Sequence, residues 1–459
     1  MADDLHALLA SAAAQAADHR AAGRDAAVAR AVDPRVVKAA LGELRNAGTD
    51  PRDVIAELVA AVEPAIVAST GPRYFGFVTG GSSPAATAAD ILTVGWDQNG
   101  FSAITSPASA LVEEVAGGWL RELLGIPAGA SFGFVTGGQG ANTVGLLAAR
   151  HHVLAEAGWD VEVHGLHGAP AVRVVATGER HATIDSALRF IGLGTEALVP
   201  VATGAQGEID VSDLTRVLDE SVGPTIVVLQ AGNVNTGAFD DLAVAVPIAK
   251  AHGAWVHIDG AFGLWAAASA TTRHLLAGAD GADSCGTDGH KWLNVPYDCG
   301  YVFCAHPASH RAATAYTASY LVGPGEVTTR SPGDFVLESS RRARGFATWA
   351  ALRELGRNGI AEVVDTCCAR ARQFATELSA IDDADVVNDV VLNQVLVGFG
   401  DDARADRVIE RVQRSGEAWM GGTNWHGRRL MRISVSNPLT SQADVRRAVA
   451  AIATACAAG

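Results

Sequence analysis

Apolar residues recur at helical spacing through the first part of the chain, up to about Val67, with breaks near Asp33-Pro34 and Thr49-Asp50-Pro51. That stretch reads as helices forming an N-terminal arm. An aromatic and glycine-rich loop follows, from Pro72 to Gly81. Next come a helix over 84–96, the polar and aromatic run Asp97-Gln98-Asn99-Gly100-Phe101, and a second helix from near Pro107. In that helix Leu111, Val115, Trp119 and Leu123 recur at spacing four, which predicts one buried face. From Ser131 the pattern changes to short β-prone runs alternating with helical ones. The predicted strands are 132–136, 172–176, 198–201, 225–230, 255–259, 284–287 and 301–305. Strands spaced by helices predict an α/β domain with a mostly parallel sheet and helices on both faces. After about Phe346 a long helical stretch leads into β-prone segments at 385–400, 416–422 and 429–436 and a final helix, the order of a smaller α+β domain. The expected division is an arm over 1–80, a large domain over 81–335 and a small domain over 336–459.

Composition narrows the classes. The 459 residues suffice for a large core with a smaller companion. A formal net charge of −15 argues against nucleic acid or an anionic membrane surface as partner. Charges or glycines interrupt every candidate membrane span, and Met1-Ala2-Asp3-Asp4 lacks the positive start of a signal peptide. The six cysteines show no CxxC spacing and read as reduced thiols of a cytoplasmic protein. His151, His152, His164 and His167 lie close together, but no HExxH or CxxC accompanies them, so no metal is expected. Arg341, Arg342 and Arg344 read as a solvated or interface face.

Five predicted strand ends carry chemistry. The run Thr136-Gly137-Gly138-Gln139-Gly140-Ala141-Asn142 joins a strand to a helix, where glycine backbone and helix N-terminus make a phosphate cradle. It matches neither the Walker pattern nor GxGxxG. His181 follows the second strand and is placed either to lie flat on an aromatic ligand or to cap a helix. Asn233 and Asn235 offer side-chain donors after another strand. The strand 255–259 ends on Asp259, and Lys291 follows the next one in the run Thr287-Asp288-Gly289-His290-Lys291-Trp292-Leu293-Asn294. An acid and a lysine converging at a sheet's carboxyl edge suit pyridoxal 5′-phosphate, whose aldehyde needs a lysine and whose pyridine nitrogen needs an anion.

These residues resemble the group II pyridoxal-phosphate-dependent amino acid decarboxylases, the family of aromatic amino acid and glutamate decarboxylases. The resemblance runs from about Tyr74 to the C-terminus through TGGQGAN, His181 with Ser186, HIDGAFG, HKWLNVPYDCG, and RISVSNP near Arg432. It implies the aspartate-aminotransferase-like fold type I with a seven-stranded sheet, and decarboxylation of an amino acid through a Lys291 Schiff base. It implies further that Asp259 pairs with the pyridine nitrogen, His181 stacks on the ring and Ala261 packs on its other face. Gly138, Gln139 and His290 would hold the phosphate. Phe77, Gln98, Asn99, Phe101 and Arg432 are the candidates for substrate contact, and a homodimer is expected. Two positions depart from the pattern. Asp288 stands where the family often has asparagine, and an acid near a phosphate is unfavourable unless it points away. The family also places a proton-donating tyrosine in the loop after Tyr320, yet residues 321–345 contain none and their one aromatic is Phe335. The alternative is therefore another pyridoxal phosphate enzyme, such as an aminotransferase, a decarboxylating aldehyde synthase or a lyase. The sequence does not name the substrate.

Overall fold

The computed structural model describes residues 2–316 and 330–458. By internal contacts the chain forms two compact units. One comprises Ser82–Ala369 and Asn388–Gln394; the other comprises Met1–Gly81, Arg370–Val387 and Val395–Gly459. This differs from the expected division. The N-terminal arm groups with the C-terminal part, and the later boundary falls inside the helix Gly345–Leu378 rather than at 335. The early turns of that helix stay with the large unit because the Thr348 hydroxyl lies 2.9 Å from buried Tyr301 Oη.

The larger unit is built on a seven-stranded sheet of order β1-β7-β6-β5-β4-β2-β3. Its strands are β1 (Ser131–Val135), β2 (Arg173–Thr177), β3 (Leu198–Val201), β4 (Thr225–Gln230), β5 (Trp255–Asp259), β6 (Ser284–Asp288) and β7 (Gly300–Cys304). All are mutually parallel except β7, which runs antiparallel to both β1 and β6. Helices cover both faces, so the central strands are buried throughout and read as nearly continuous apolar runs. The helix Gly138–Glu156 packs Leu146, Ala148 and Ala149 against Val174, Ile226 and Trp255. The parallel register brings the carboxyl ends of β1, β2, β4, β5 and β6 to one edge.

Two expectations are corrected here. In the helix Pro107–Leu123 the buried face carries Ala110, Glu113, Ala116, Gly117 and Leu120, while Leu111 and Val115 are 52 % and 44 % exposed. Small residues face inward because Phe132 of β1 lies so close that a Cβ on Gly117 would meet its ring at 2.1 Å. The apolar row at spacing four is left outside. Arg341 is likewise no solvated residue. It is fully buried, donating to Glu113 Oε2 at 2.7 Å and to the Phe134 carbonyl at 2.6 Å, and the ion pair with hydrogen bonds is what allows that burial.

The smaller unit carries a four-stranded sheet of order β10-β11-β9-β8, built from β8 (Asp385–Val386), β9 (Gln394–Gly398), β10 (Gly421–Trp425) and β11 (Arg428–Ser434). The arm helices begin where Asp33 and Asp50 accept the N–H groups of Arg35 and Arg52, each at 2.9 Å, with proline at the first helical position. Phe75 joins the arm to this unit: its N–H donates to the Trp419 carbonyl at 2.7 Å and its carbonyl accepts from Ser434 N–H at 2.9 Å.

Candidate active site

Three strand ends meet around Lys291. The turn from β1 into the Gly138–Glu156 helix lies against β7, where a Cβ on Gly300 would come within 2.5 Å of Gly137 Cα. A Cβ on Gly137 would come within 2.9 Å of the His290 ring, and one on Gly138 within 2.9 Å of Asp288 Oδ2. A side chain at either position would displace His290 or Asp288, so the two glycines leave room for a cradle whose wall is the Asp288–Lys291 turn. Within it Lys291 Nζ lies 2.9 Å from Asp288 Oδ2 and 5.9 Å from the centre of the Phe262 ring. His290 Nδ1 accepts the Cys299 N–H at 3.2 Å, which leaves the ring proton on Nε2, 3.3 Å from Asp288 Oδ1. Burial lowers the pKa of His290, opposed by Asp288. Tyr297 stacks on the same imidazole with centroids 4.3 Å apart.

Asp259 is held by a directed chain of hydrogen bonds. Trp255, His257 and Asp259 alternate along β5 and so share one of its faces. Trp255 Nε1 donates to Ser284 Oγ at 2.9 Å, and Ser284 Oγ lies 2.8 Å from His257 Nδ1. His257 Nε2 lies 3.0 Å from Asn142 Oδ1, and Asn142 Nδ2 donates to Asp259 Oδ2 at 3.0 Å. Asn142 Oδ1 can only accept, so His257 carries its proton on Nε2 and takes the Ser284 proton on Nδ1. Burial drives the His257 pKa down to about 4, which keeps it neutral near pH 7. Every donor thus points toward the Asp259 carboxylate, whose Oδ1 also accepts the Ala261 N–H at 3.2 Å.

The other predicted residues are placed variously. His181 caps the helix Ala182–Phe190, its Nδ1 accepting the Thr183 N–H at 3.3 Å. The Thr183 hydroxyl lies 2.9 Å from that nitrogen and accepts from Asn142 Nδ2 at 3.0 Å, joining His181 to the Asp259 network. The Gln139 side chain donates to the Thr183 carbonyl at 3.2 Å. Ala261 borders the cradle, 3.5 Å from where a Gly138 Cβ would lie. The amide of Asn233 is engaged in its own turn, donating to Glu179 O and Gln230 Oε1 and accepting from Asn235 and Thr236 N–H. Gln98 bonds locally to the Trp96 carbonyl, Asn99 Oδ1 accepts from Phe101 N–H and from the distant Arg341 N–H, and Phe101 stacks on Tyr316 at 5.8 Å. Phe335 packs on His310 and Arg330, with His310 bonded to Ser131 at the start of β1, the end away from the cradle. The rest of the loop considered for a tyrosine falls partly on residues 317–329, outside the described residues. In the smaller unit, Phe77 is exposed and stacks on Trp419 at 5.3 Å, while burial lowers the Arg432 pKa. Among the described residues no group of three histidine, cysteine or acidic side chains is arranged to hold a metal.

Asn142, His257 and Thr183 were not singled out from sequence. One signal existed: His257 stands two residues before Asp259 on a strand, hence on its face. Asp288 points into the cradle rather than away.

Residues 40–399 match the pyridoxal-dependent decarboxylase conserved domain. The chain belongs to that family. It is a pyridoxal 5′-phosphate-dependent amino acid decarboxylase of fold type I. Tryptophan decarboxylase 1 of Oryza sativa subsp. japonica is 29 % identical over 435 residues, covering 87 % of this chain and 83 % of that one. The 4-hydroxyphenylacetaldehyde synthase of Rhodiola rosea is 26 % identical over 445 residues, covering 91 % and 88 %. The crystal structure of mouse CSAD superposes with a TM-score of 0.91 at 25 % identity, covering 98 % of each chain. Three features suit the family's cofactor: a buried carboxylate that accepts two N–H groups, a lysine after the next strand of the sheet, and a glycine turn at a helix start; the Asp288 carboxylate in that turn does not. No helix among the described residues is long and apolar enough to cross a membrane.

Proposed function

We propose that Lys291 holds pyridoxal 5′-phosphate covalently, that Asp259 faces its pyridine nitrogen, and that the Gly138–Gln139 turn and His290 take its phosphate. His181 and Ala261 would flank the ring. The observation that carries this reading is the directed hydrogen-bond chain ending on Asp259, since it fixes the orientation of a carboxylate that the cofactor needs. Bound there, the cofactor supplies an electron sink for the bond to Cα that breaks when carbon dioxide leaves. The chain's own residues then have three tasks. Asp259 keeps a proton on the facing nitrogen, the network behind it resists reorientation, and a proton must be returned to the substrate Cα. Lys291 Nζ and His181 Nε2 are the groups assigned to that return, the latter because Nδ1 is an acceptor in the helix cap. Phe335 is not assigned to it, given its place beside His310.

The substrate is an amino acid, with Phe77, Gln98, Asn99, Phe101 and Arg432 retained as candidates for its contacts. The relatives are named variously for an aromatic amino acid, for cysteine sulfinic acid and for an aldehyde product, so the test measures both substrate and product. Borohydride reduction followed by peptide mapping should mark Lys291, and a panel of amino acids should include one that releases carbon dioxide with the amine as main product. Label on another lysine, or turnover without carbon dioxide, refutes the reading.

A homodimer is supported by the apolar residues left outside on two successive helices: Ile91, Leu92, Val94 and Trp96 of Pro84–Trp96, with Leu111 and Val115 of Pro107–Leu123. Light scattering should report twice the chain mass, and Val115→Asp should shift it toward the monomer. Six free buried cysteines support a reducing, cytoplasmic setting, testable by fractionation of cells.

A further inference from the structure

Asp288 does not fit the phosphate role of its surroundings. Its side chain is 2 % exposed and its carboxylate lies in the glycine cradle itself. Oδ1 accepts the Gly138 N–H at 2.5 Å and lies 3.3 Å from His290 Nε2, while Oδ2 lies 2.9 Å from Lys291 Nζ. A helix-start N–H and an imidazole N–H are the donors a phosphate ester would use, and Lys291 Nζ is the atom assigned to the cofactor itself. The main chain cannot withdraw the acid. Asp288 N–H donates to the Ala261 carbonyl at 2.9 Å, its carbonyl accepts Trp265 Nε1 at 3.0 Å, and it pairs with Gly300 across β6 and β7. Only rotation of the side chain can clear the donors. Tyr301 also feels the Asp288 charge, and burial holds its phenol in the protonated form.

We propose that Asp288 is a resident anion of the cradle, and that the phosphate of pyridoxal 5′-phosphate binds in competition with its carboxylate. Two anions sharing the same donors repel, and a side chain swung aside surrenders its own bonds, so this one residue limits cofactor affinity. The inference rests on the assignment of the cofactor to this site. Its test uses the full chain freed of cofactor, as wild type and as Asp288→Asn, titrated with pyridoxal 5′-phosphate, with pyridoxal and with inorganic phosphate. Tryptophan fluorescence and thermal shift report binding without reference to turnover.

The asparagine variant should bind pyridoxal 5′-phosphate at least about tenfold more tightly, or about 1.4 kcal/mol. Inorganic phosphate should gain by a similar factor, while pyridoxal, lacking the phosphate, should change by less than about threefold. Unchanged or weaker binding of pyridoxal 5′-phosphate overturns the proposal. So does an equal gain for pyridoxal, which would place the effect on Lys291. Asp288→Ser, equally uncharged and smaller, gives the same reading should the asparagine variant not fold. Borohydride labelling of a different lysine would refute the cofactor assignment instead, and the inorganic phosphate titration would still decide whether Asp288 occupies an anion cradle.

Discussion

Replacing Asn142 by alanine tests the network that holds Asp259. Asn142 is 1 % exposed and connects two buried partners, accepting from His257 Nε2 and donating to Asp259 Oδ2, each at 3.0 Å. The substitution removes a bond to a carboxylate, worth about 1.5–3 kcal/mol. It also leaves the His257 N–H buried without its acceptor, at a further cost of about 1–3 kcal/mol. Water entering the space left by the amide recovers part of this, so the expected loss of stability is about 2–4 kcal/mol. Turnover should fall at least about tenfold, because Asp259 loses the donor that orients it. Denaturant unfolding of the cofactor-free protein gives the first quantity, and carbon dioxide release at saturating cofactor gives the second. Thr183→Val separates the two bonds of the Asn142 amide, since it removes the acceptor that links Asn142 to His181 and leaves the Asp259 bond intact. A loss below about 0.5 kcal/mol with turnover retained, for Asn142→Ala, would show that the network does not hold Asp259.

Two further outcomes are expected. Asp259→Asn should keep measurable cofactor binding yet lose far more than tenfold in turnover, because an amide cannot hold the pyridine proton as an anion does; a loss of about tenfold or less, about 1.4 kcal/mol, counts against the role. Stability should fall on acidification partly through His310, whose pKa burial and Arg330 hold down to about 3. The unfolded chain takes up that proton near pH 6.5 and the folded chain only near 3, so the contribution is lost as pH drops through this interval. His310→Gln should flatten the stability slope between about pH 6 and 4 by up to about 1.4 kcal/mol per pH unit, and an unchanged slope would show that His310 carries none of it.

Much of this protein is determined by local sequence. The seven large-sheet strands fall where β-prone runs were expected, to within a residue at each end, because strands buried on both faces must be short, apolar and bounded by turns. Lys291, Asp259 and the Gly137–Gly138 turn are legible for a related reason: each lies at or just past the end of a strand, and parallel strands deliver their ends to one edge. Facing was not legible. Leu111 and Val115 form an apolar row, but only the position of Phe132 decides that the small-residue face turns inward and leaves that row outside. The grouping of the arm with the C-terminal unit depends on main-chain bonds between Phe75 and residues more than three hundred positions away, which no periodicity records. The same holds for the site's inner partners. Asn142 lies 117 positions from Asp259, and Asp288 lies 150 from Gly138. Periodicity registers which residues share an element; a carboxylate's partners depend on which elements the fold packs against one another, and only the tertiary structure decides that.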